Sequence, residues 1–414
     1  MVRVWHGSCF TIFQMKLQLT KTKTIEIGFG GKGDKKSSSA DMTGVELFSG
    51  DERGCPTVRL VRRKGVWRLL AAGFVSPPQG ELPEKWEDMP KQPKWELPTA
   101  FQSPHAAIVV NSPQSIFTQA TAETILNSFS LGLNAPTAEK NQSAEKKRIG
   151  IRRSASTEPA AKPAQSGKAP EFPKPGIPVS ENGMRFAVKP VAEQGFHLEA
   201  ALPEFQALWL SRLLPEGRRP TASSIQLHDA ALMASVLAQP EFIQGKGNAL
   251  AVFVGAHDIH FAGYKAGMPV LWRKCPVPGG TIALREAVKR GLGVDDTLVD
   301  SVLDDSLVDP RSALEPILHP VLDELELSRA YLVDQHAVRP DRILLMGLSA
   351  GAAYWCKYAQ ESHRLELAAP GVFDGIEFPV KPKPGDIDET VQTGGDAPFL
   401  PALGAALAAA EAEE

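Results

Sequence analysis

Residues Asn248–Gly280 read NALAVFVGAHDIHFAGYKAGMPVLWRKCPVPGG. Three apolar runs rich in strand formers, Leu250–Gly255, Asp258–Tyr264 and Pro269–Val277, are separated by the turn residues Ala256–His257 and Lys265–Gly267. The pattern predicts a three-stranded meander ending at Gly279–Gly280, with the next residues, TIALREAVKRG, forming a helix over Thr281–Gly291. The first strand closes on Phe253-Val254-Gly255, so it has the glycine a tight turn needs and no charged residue beside it.

Upstream, Lys21–Gly28 and Gly44–Phe48 read as strands flanking a loop rich in glycine, lysine and serine, Phe29–Thr43. Thr57–Val61 with Val66–Val75 continues as a meander, Glu84–Phe101 is expected to wrap the surface, and Ala106–Val110 is a short buried strand. From about Leu131 to Ser180 the composition turns to Ala, Pro, Lys, Ser and Glu, too poor in apolar surface to offset the entropy of ordering, and predicts a disordered insert. Order returns with strands at Met184–Lys189, Phe196–Ala200 and Thr221–Leu227. Helices are expected at Pro203–Leu214, with Phe205, Leu208, Trp209 and Leu213 on its apolar face, and at Asp229–Leu237. Beyond the meander come helices at Asp295–Asp304 and through Leu325–Val333, with Pro316 and Pro320 near the start of the latter. A strand Arg342–Met346, a helix from Ala352 and a closing Ala-rich helix Pro401–Glu411 complete the chain.

The 414 residues suffice for two or three domains, and 43% hydrophobic content for a sizeable core. A net charge of −3 supplies no field for nucleic acid or anionic lipid. Cys9, Cys55, Cys275 and Cys356 lie far apart without a C-x-x-C spacing, which predicts reduced thiols in a cytosolic protein. No apolar run reaches the ~18 residues of a membrane-spanning helix, and the N-terminus lacks the apolar core and cleavage site of a secretion signal.

Order and local pattern together resemble the PilM family, actin-like cytoplasmic proteins of type IV pilus assembly related to FtsA. Three stretches carry the resemblance: the meander with PVPGG and its helix; ILHPVLDELELSRAYL; and RILLMGLSAG with the final APFLPALGAALAAA. It covers about Thr24–Ala410 outside the insert and implies an α/β fold of two actin-like lobes with an inserted subdomain and a disordered loop. The implied division is an extension (1–20), the N-terminal part of the first lobe (21–103), an inserted subdomain (104–228, with the insert at 131–180), a return helix (229–246) and the second lobe (247–414).

The family holds ATP in the cleft between its lobes, and the matching positions here are degenerate. Its first phosphate hairpin carries Asp-x-Gly, for which Glu26-Ile27-Gly28 is the candidate. In the second hairpin Phe253 replaces the Asp before Gly255, and Gly279 and Gly280 close the meander. The adenosine turn is Gly347-Leu348-Ser349-Ala350, with a leucine where backbone should approach the base. Without both metal-organising carboxylates, most of the electrostatic stabilisation of phosphoryl transfer is lost. The resemblance therefore implies a scaffold without ATP hydrolysis, with ATP and Mg²⁺ bound only if the pocket is retained. Its partner would be the cytoplasmic N-terminal tail of a single-pass inner-membrane protein of a pilus or type II secretion-like complex. No metal site, nucleic acid or membrane insertion is expected.

Two other classes compete. One is an active actin-like ATPase in a shifted register, with Asp258 or Asp41 as the acid. The other is a serine hydrolase: Gly347-Leu348-Ser349-Ala350-Gly351 matches G-x-S-x-G between a strand and a helix. His363 is the only histidine after Ser349, only 14 residues on, and the later acids all follow it, so the triad order fails. Gly28-x-Gly30-x-x-Gly33 lacks a surrounding βαβ unit, and His257 and His260, three apart on a strand, face opposite ways. Lys146–Arg153 reads as a solvated basic run, with Ser154 and Ser156 beside it. The final helix has no Lys or Arg for a membrane face and should pack on the body of the protein.

Overall fold

In the computed structural model the described residues are 40–88, 95–121, 184–190, 196–214, 219–243, 247–305, 308–379, 386–388, 391 and 396–413. Two five-stranded sheets share one plan. The first has β1 (Asp41–Leu47), β2 (Cys55–Arg63), β3 (Val66–Val75), β4 (His105–Val110) and β8 (Thr221–Leu227) in the order β3-β2-β1-β4-β8. The second has β9 (Ala249–Val254), β10 (Ile259–Lys265), β11 (Met268–Lys274), β12 (Arg342–Met346) and β13 (Leu367–Ala368) in the order β11-β10-β9-β12-β13. In each, three consecutive strands form an antiparallel meander, and the next two add parallel to the first. This duplicated plan is the two-lobed actin-like α/β fold.

The central strands carry the core. β1 is buried from Met42 to Leu47 and β9 throughout, as expected of strands covered on both faces. Between β4 and β8 the chain builds a small sheet, β5 (Ile116–Thr121), β7 (Phe196–Pro203) and β6 (Met184–Pro190) in the order β5-β7-β6, and helix α1 (Glu204–Leu213). The inserted subdomain is thus narrower than residues 104–228, because the two strands at its ends belong to the first lobe's sheet. Their parallel pairing joins residues more than a hundred positions apart. In α1 the buried face is Gln206, Ala207, Trp209, Leu210 and Leu213, while Phe205 and Leu208 are half-buried. The Gln206 amide accepts from Ser112 Oγ and donates to the Pro83 carbonyl, so this polar residue sits inside with its bonds made.

Helix α2 (His228–Ser235) follows β8. In the second lobe α3 (Thr281–Leu292), α4 (Val299–Asp305), α5 (Arg311–His336) and α6 (Ala352–His363) surround the sheet, and α7 (Leu400–Glu413) closes the chain. Pro316 and Pro320 lie inside α5, which begins 14 residues before Leu325. The segment Glu84–Phe101, expected on the surface, buries Trp95, Leu97 and Phe101, and Trp95 donates to the Ser76 carbonyl. The strand Lys21–Gly28, the N-terminal extension, the insert 131–180 and the basic run lie outside the described residues.

α7 is the main departure from the expected division. It packs on β1, β4, β2 and α2 of the first lobe rather than on the second, and its leucines and alanines from Leu400 to Ala410 are at most 1% exposed. Small side chains allow this. A Cβ on Gly44 of β1 would stand 1.8 Å from the Ala402 carbonyl oxygen, and one on Gly404 would stand 1.9 Å from that of Ala231. Gln226 donates to the Ala405 carbonyl from the neighbouring strand β8. On its way from the second lobe the chain also pairs with the first lobe's edge strand, at Arg68↔Glu377 and Ala72↔Ile387, covering β3.

Gly44→Ala and Gly404→Ala should each cost ~2–5 kcal/mol of stability, since overpacking here pushes backbone against backbone. Gly50→Ala, where a Cβ meets no atom and only the positive φ of 77° is strained, should cost ~1 kcal/mol. Denaturant midpoints of the three variants check this ranking.

Candidate functional site

The lobes face each other across a cavity of about 400 Å³. The first lobe supplies Glu46 from the end of β1, Ser49, Gly50 and Asp51 from the β1–β2 turn, and His228 from the start of α2. The second lobe supplies Phe253–Ala256, the start of α3 with Arg285, Asp300 and Leu303 of α4, and the turn Gly347–Ala350. Ala397, Pro398, Leu400 and Pro401, entering α7, complete the wall.

The two hairpins at this cavity are β1–β2 and β9–β10. Among the described residues the first hairpin at the cavity is the turn after Leu47; Glu26 and Gly28 lie outside the described residues. Asp41, weighed as a substitute acid, stands at the far end of β1 and is bound by Arg59. The acid at the cavity end of β1 is Glu46, which the sequence reading missed because it sought the hairpin acid on the run before. Gly255, Gly347 and Ser349 line the cavity. Gly279 and Gly280 do not: they pack behind the β9–β10 turn, where a Cβ on Gly280 would stand 2.6 Å from the Ala256 carbonyl oxygen.

Charged groups lining the cavity are paired with one another or with near neighbours. Glu46, 3% exposed, lies 2.7 Å from His228 Nδ1. Asp51 takes both the side chain and the backbone N–H of Arg53, and the Arg53 hydrogen bond holds its carboxyl below the usual range. Arg285 is bound by Asp300 and by Asp296. The lining thus carries three carboxylates against one guanidinium and one imidazole, with no surplus positive charge to attract a polyphosphate.

Backbone donors are engaged as well. The N–H groups of Thr281 and Ile282, opening α3, donate to the carbonyls of Gly255 and Ala256 at 2.9 and 3.1 Å. At the start of α6, the Gly351 N–H donates to Asp304 Oδ1 at 2.7 Å, so a carboxylate from α4 occupies that helix terminus. Phe253 is 1% exposed and packs on Trp272 with ring centroids 6.0 Å apart, so a carboxylate at this position would be buried against an indole.

The remaining candidates fall elsewhere. Ser349 is exposed just before α6, and His363 ends that helix, ~18 Å away by the helical rise. Asp258 pairs with Lys274, His257 is exposed in the turn, and His260 stacks on Trp272 at 5.0 Å. Burial pushes the Cys55 thiol up to about 11, and the Cys275 and Cys356 thiols are also raised by burial.

No family model and no curated protein matches the chain. Among solved structures, one described as the PilM-PilN type IV pilus biogenesis complex is similar at 12% identity, covering 88% of this chain and 97% of that one, with a TM-score of 0.49. A Bacteroides thetaiotaomicron protein with an actin-like ATPase fold and unknown function is similar at 9% identity over 83% and 98% of the two chains, with a TM-score of 0.36. The activator of 2-hydroxyisocaproyl-CoA dehydratase from Clostridium difficile with bound ADPNP gives 9% identity, 90% and 95% coverage and a TM-score of 0.35. The fold follows from the strand order and not from these likenesses.

The Glu46–His228 pair has a measurable signature. Burial opposes the charged imidazole, but the charge and hydrogen bond of Glu46, with the charge of Asp229, hold the His228 pKa above its ordinary value. The pair's contribution should be complete below the ordinary histidine pKa of ~6.5 and be lost as pH rises through the higher folded value. Denaturant midpoints followed upward from pH ~6 should fall more in the unsubstituted protein than in Glu46→Gln.

Proposed function

We propose that this chain is a cytoplasmic actin-like scaffold of a type IV pilus or type II secretion-like assembly at the inner membrane, and that it does not hydrolyse ATP. One observation carries the reading: the charged groups and helix termini that line the interlobe cavity are engaged within the protein. Phosphoryl transfer needs a metal-holding carboxylate and positive charge aimed at the phosphates. Here Glu46 is committed to His228, Asp51 to Arg53 and Arg285 to Asp300, and Phe253 stands at the end of β9.

The partner is the cytoplasmic N-terminal tail of a single-pass membrane protein. Supporting this are the sequence resemblance to the PilM family and the two-lobed fold with a subdomain inserted between β4 and β8. No helix among the described residues is long and apolar enough to cross a membrane, so attachment to the bilayer would run through that partner. Any residual occupancy of the cleft by ATP and Mg²⁺ would involve the turns at Gly255 and Gly347–Ser349.

The test is calorimetry of the purified chain with a synthetic peptide of the N-terminal tail of the single-pass protein that co-purifies with it. Saturable one-to-one binding at micromolar affinity, unchanged by added nucleotide, is expected. Absence of tail binding, or binding that requires ATP, would contradict the proposal.

A further inference from the structure

At the end of α6 opposite the cavity turn, three side chains from two helices converge. His319 and Asp323 lie four residues apart on one face of α5, and His363 is the last residue of α6. Asp323 Oδ1 is 3.2 Å from His363 Nε2, Asp323 Oδ2 is 3.8 Å from His319 Nε2, and one ligand atom from each residue lies within 4.8 Å of the others. A metal ion bonded at ~2.0–2.1 Å to three tetrahedral ligands holds those atoms about 3.3 Å apart, so small rotations of two exposed side chains suffice to close the set.

A second observation concerns the tautomer of His363. Ser362 Oγ donates its proton to the Tyr358 carbonyl at 2.6 Å, so it meets His363 Nδ1, at 2.8 Å, as an acceptor. The ring proton of a neutral His363 is therefore held on Nδ1. That leaves the Nε2 lone pair facing the Asp323 carboxylate, a contact that becomes favourable when a metal cation, or a proton, sits between the two. Metal-bound histidines are oriented in this way, with the non-ligating N–H tied to a nearby oxygen. The His363 side chain is 6% exposed, whereas His319 and Asp323 are more than half exposed, giving one fixed ligand and two adjustable ones with an open side toward solvent.

We propose that His319, Asp323 and His363 form a binding site for a divalent transition metal, zinc first, with water in the fourth position. Two imidazoles and one carboxylate form a donor set suited to Zn²⁺ or Co²⁺ rather than to Mg²⁺ or Ca²⁺, which take oxygen ligands. Because the ligands come from both α5 and α6, bound metal would clamp these helices together. The open fourth position could accept a ligand from a partner surface.

The test is metal titration of the full chain without a histidine tag. Unsubstituted protein should bind about one equivalent of Zn²⁺, give a visible tetrahedral absorption band with Co²⁺, and melt at a higher temperature with Zn²⁺ than with chelator. His319→Ala and Asp323→Asn, both at exposed positions, should weaken this binding at least about tenfold, abolish the Co²⁺ band and remove the melting shift. Lack of binding, or binding that both variants retain unchanged, would overturn the proposal and leave an imidazolium–carboxylate pair as the account of the cluster.

Discussion

The contact on which the structure depends is the backbone-to-backbone seating of α7 between β1 and α2. It is made possible where Gly44 and Gly404 leave no room for a side chain. The chain builds one lobe, crosses to build the other, and must then return for its final helix to fill the core of the first. That return fixes the lobes face to face, covers the edge of β3 and places Ala397–Pro401 in the cavity wall. A second tie lies opposite: the Gln119 side chain of β5 bonds the Val270 carbonyl and the Trp272 N–H on edge strand β11, and Phe117 packs edge-on against Trp272 at 5.6 Å. The inserted subdomain thus rests on the second lobe while being covalently part of the first.

A cleft held in this way can serve as a nucleotide site only if its lining leaves charge available. In this cleft each lobe uses its own charge internally: Glu46 meets His228 within the first lobe, and Arg285 meets Asp300 within the second. Ion pairing within a lobe removes the reason for a ligand to bridge the two. Tilted aromatic packing of Phe253 against Trp272 stabilises the second sheet at a position where a buried carboxylate would destabilise it. On the proposed reading the fold is kept while the cleft serves as a structural element.

Much of the fold was legible locally. The meander at 250–277, the strands at 221–227 and 342–346 and the helix from Ala352 follow from apolar periodicity bounded by glycine turns. Long-range assembly was not legible. β4 and β8 are parallel neighbours separated by the whole inserted subdomain, and no local pattern reports such a pairing. α7 has almost no polar face, because it is buried on all sides, so periodicity could not say which lobe it serves. Glu46 lies in the strand read at Gly44–Phe48, but the candidate hairpin acid was sought on the run before it; Gly44 there admits α7 and does not make a turn. The metal cluster was invisible for a related reason: His363 was weighed against Ser349 along one helix, whereas its neighbours are on α5.

The most direct test of the central claim, that the cleft is a scaffold element and not an ATP-hydrolysing site, is calorimetric titration of the purified full chain with Mg²⁺-ATP. No saturable heat is expected at nucleotide concentrations up to about a millimolar. Stoichiometric binding at micromolar affinity would contradict it, because the cleft would then hold polyphosphate despite its internally paired charges.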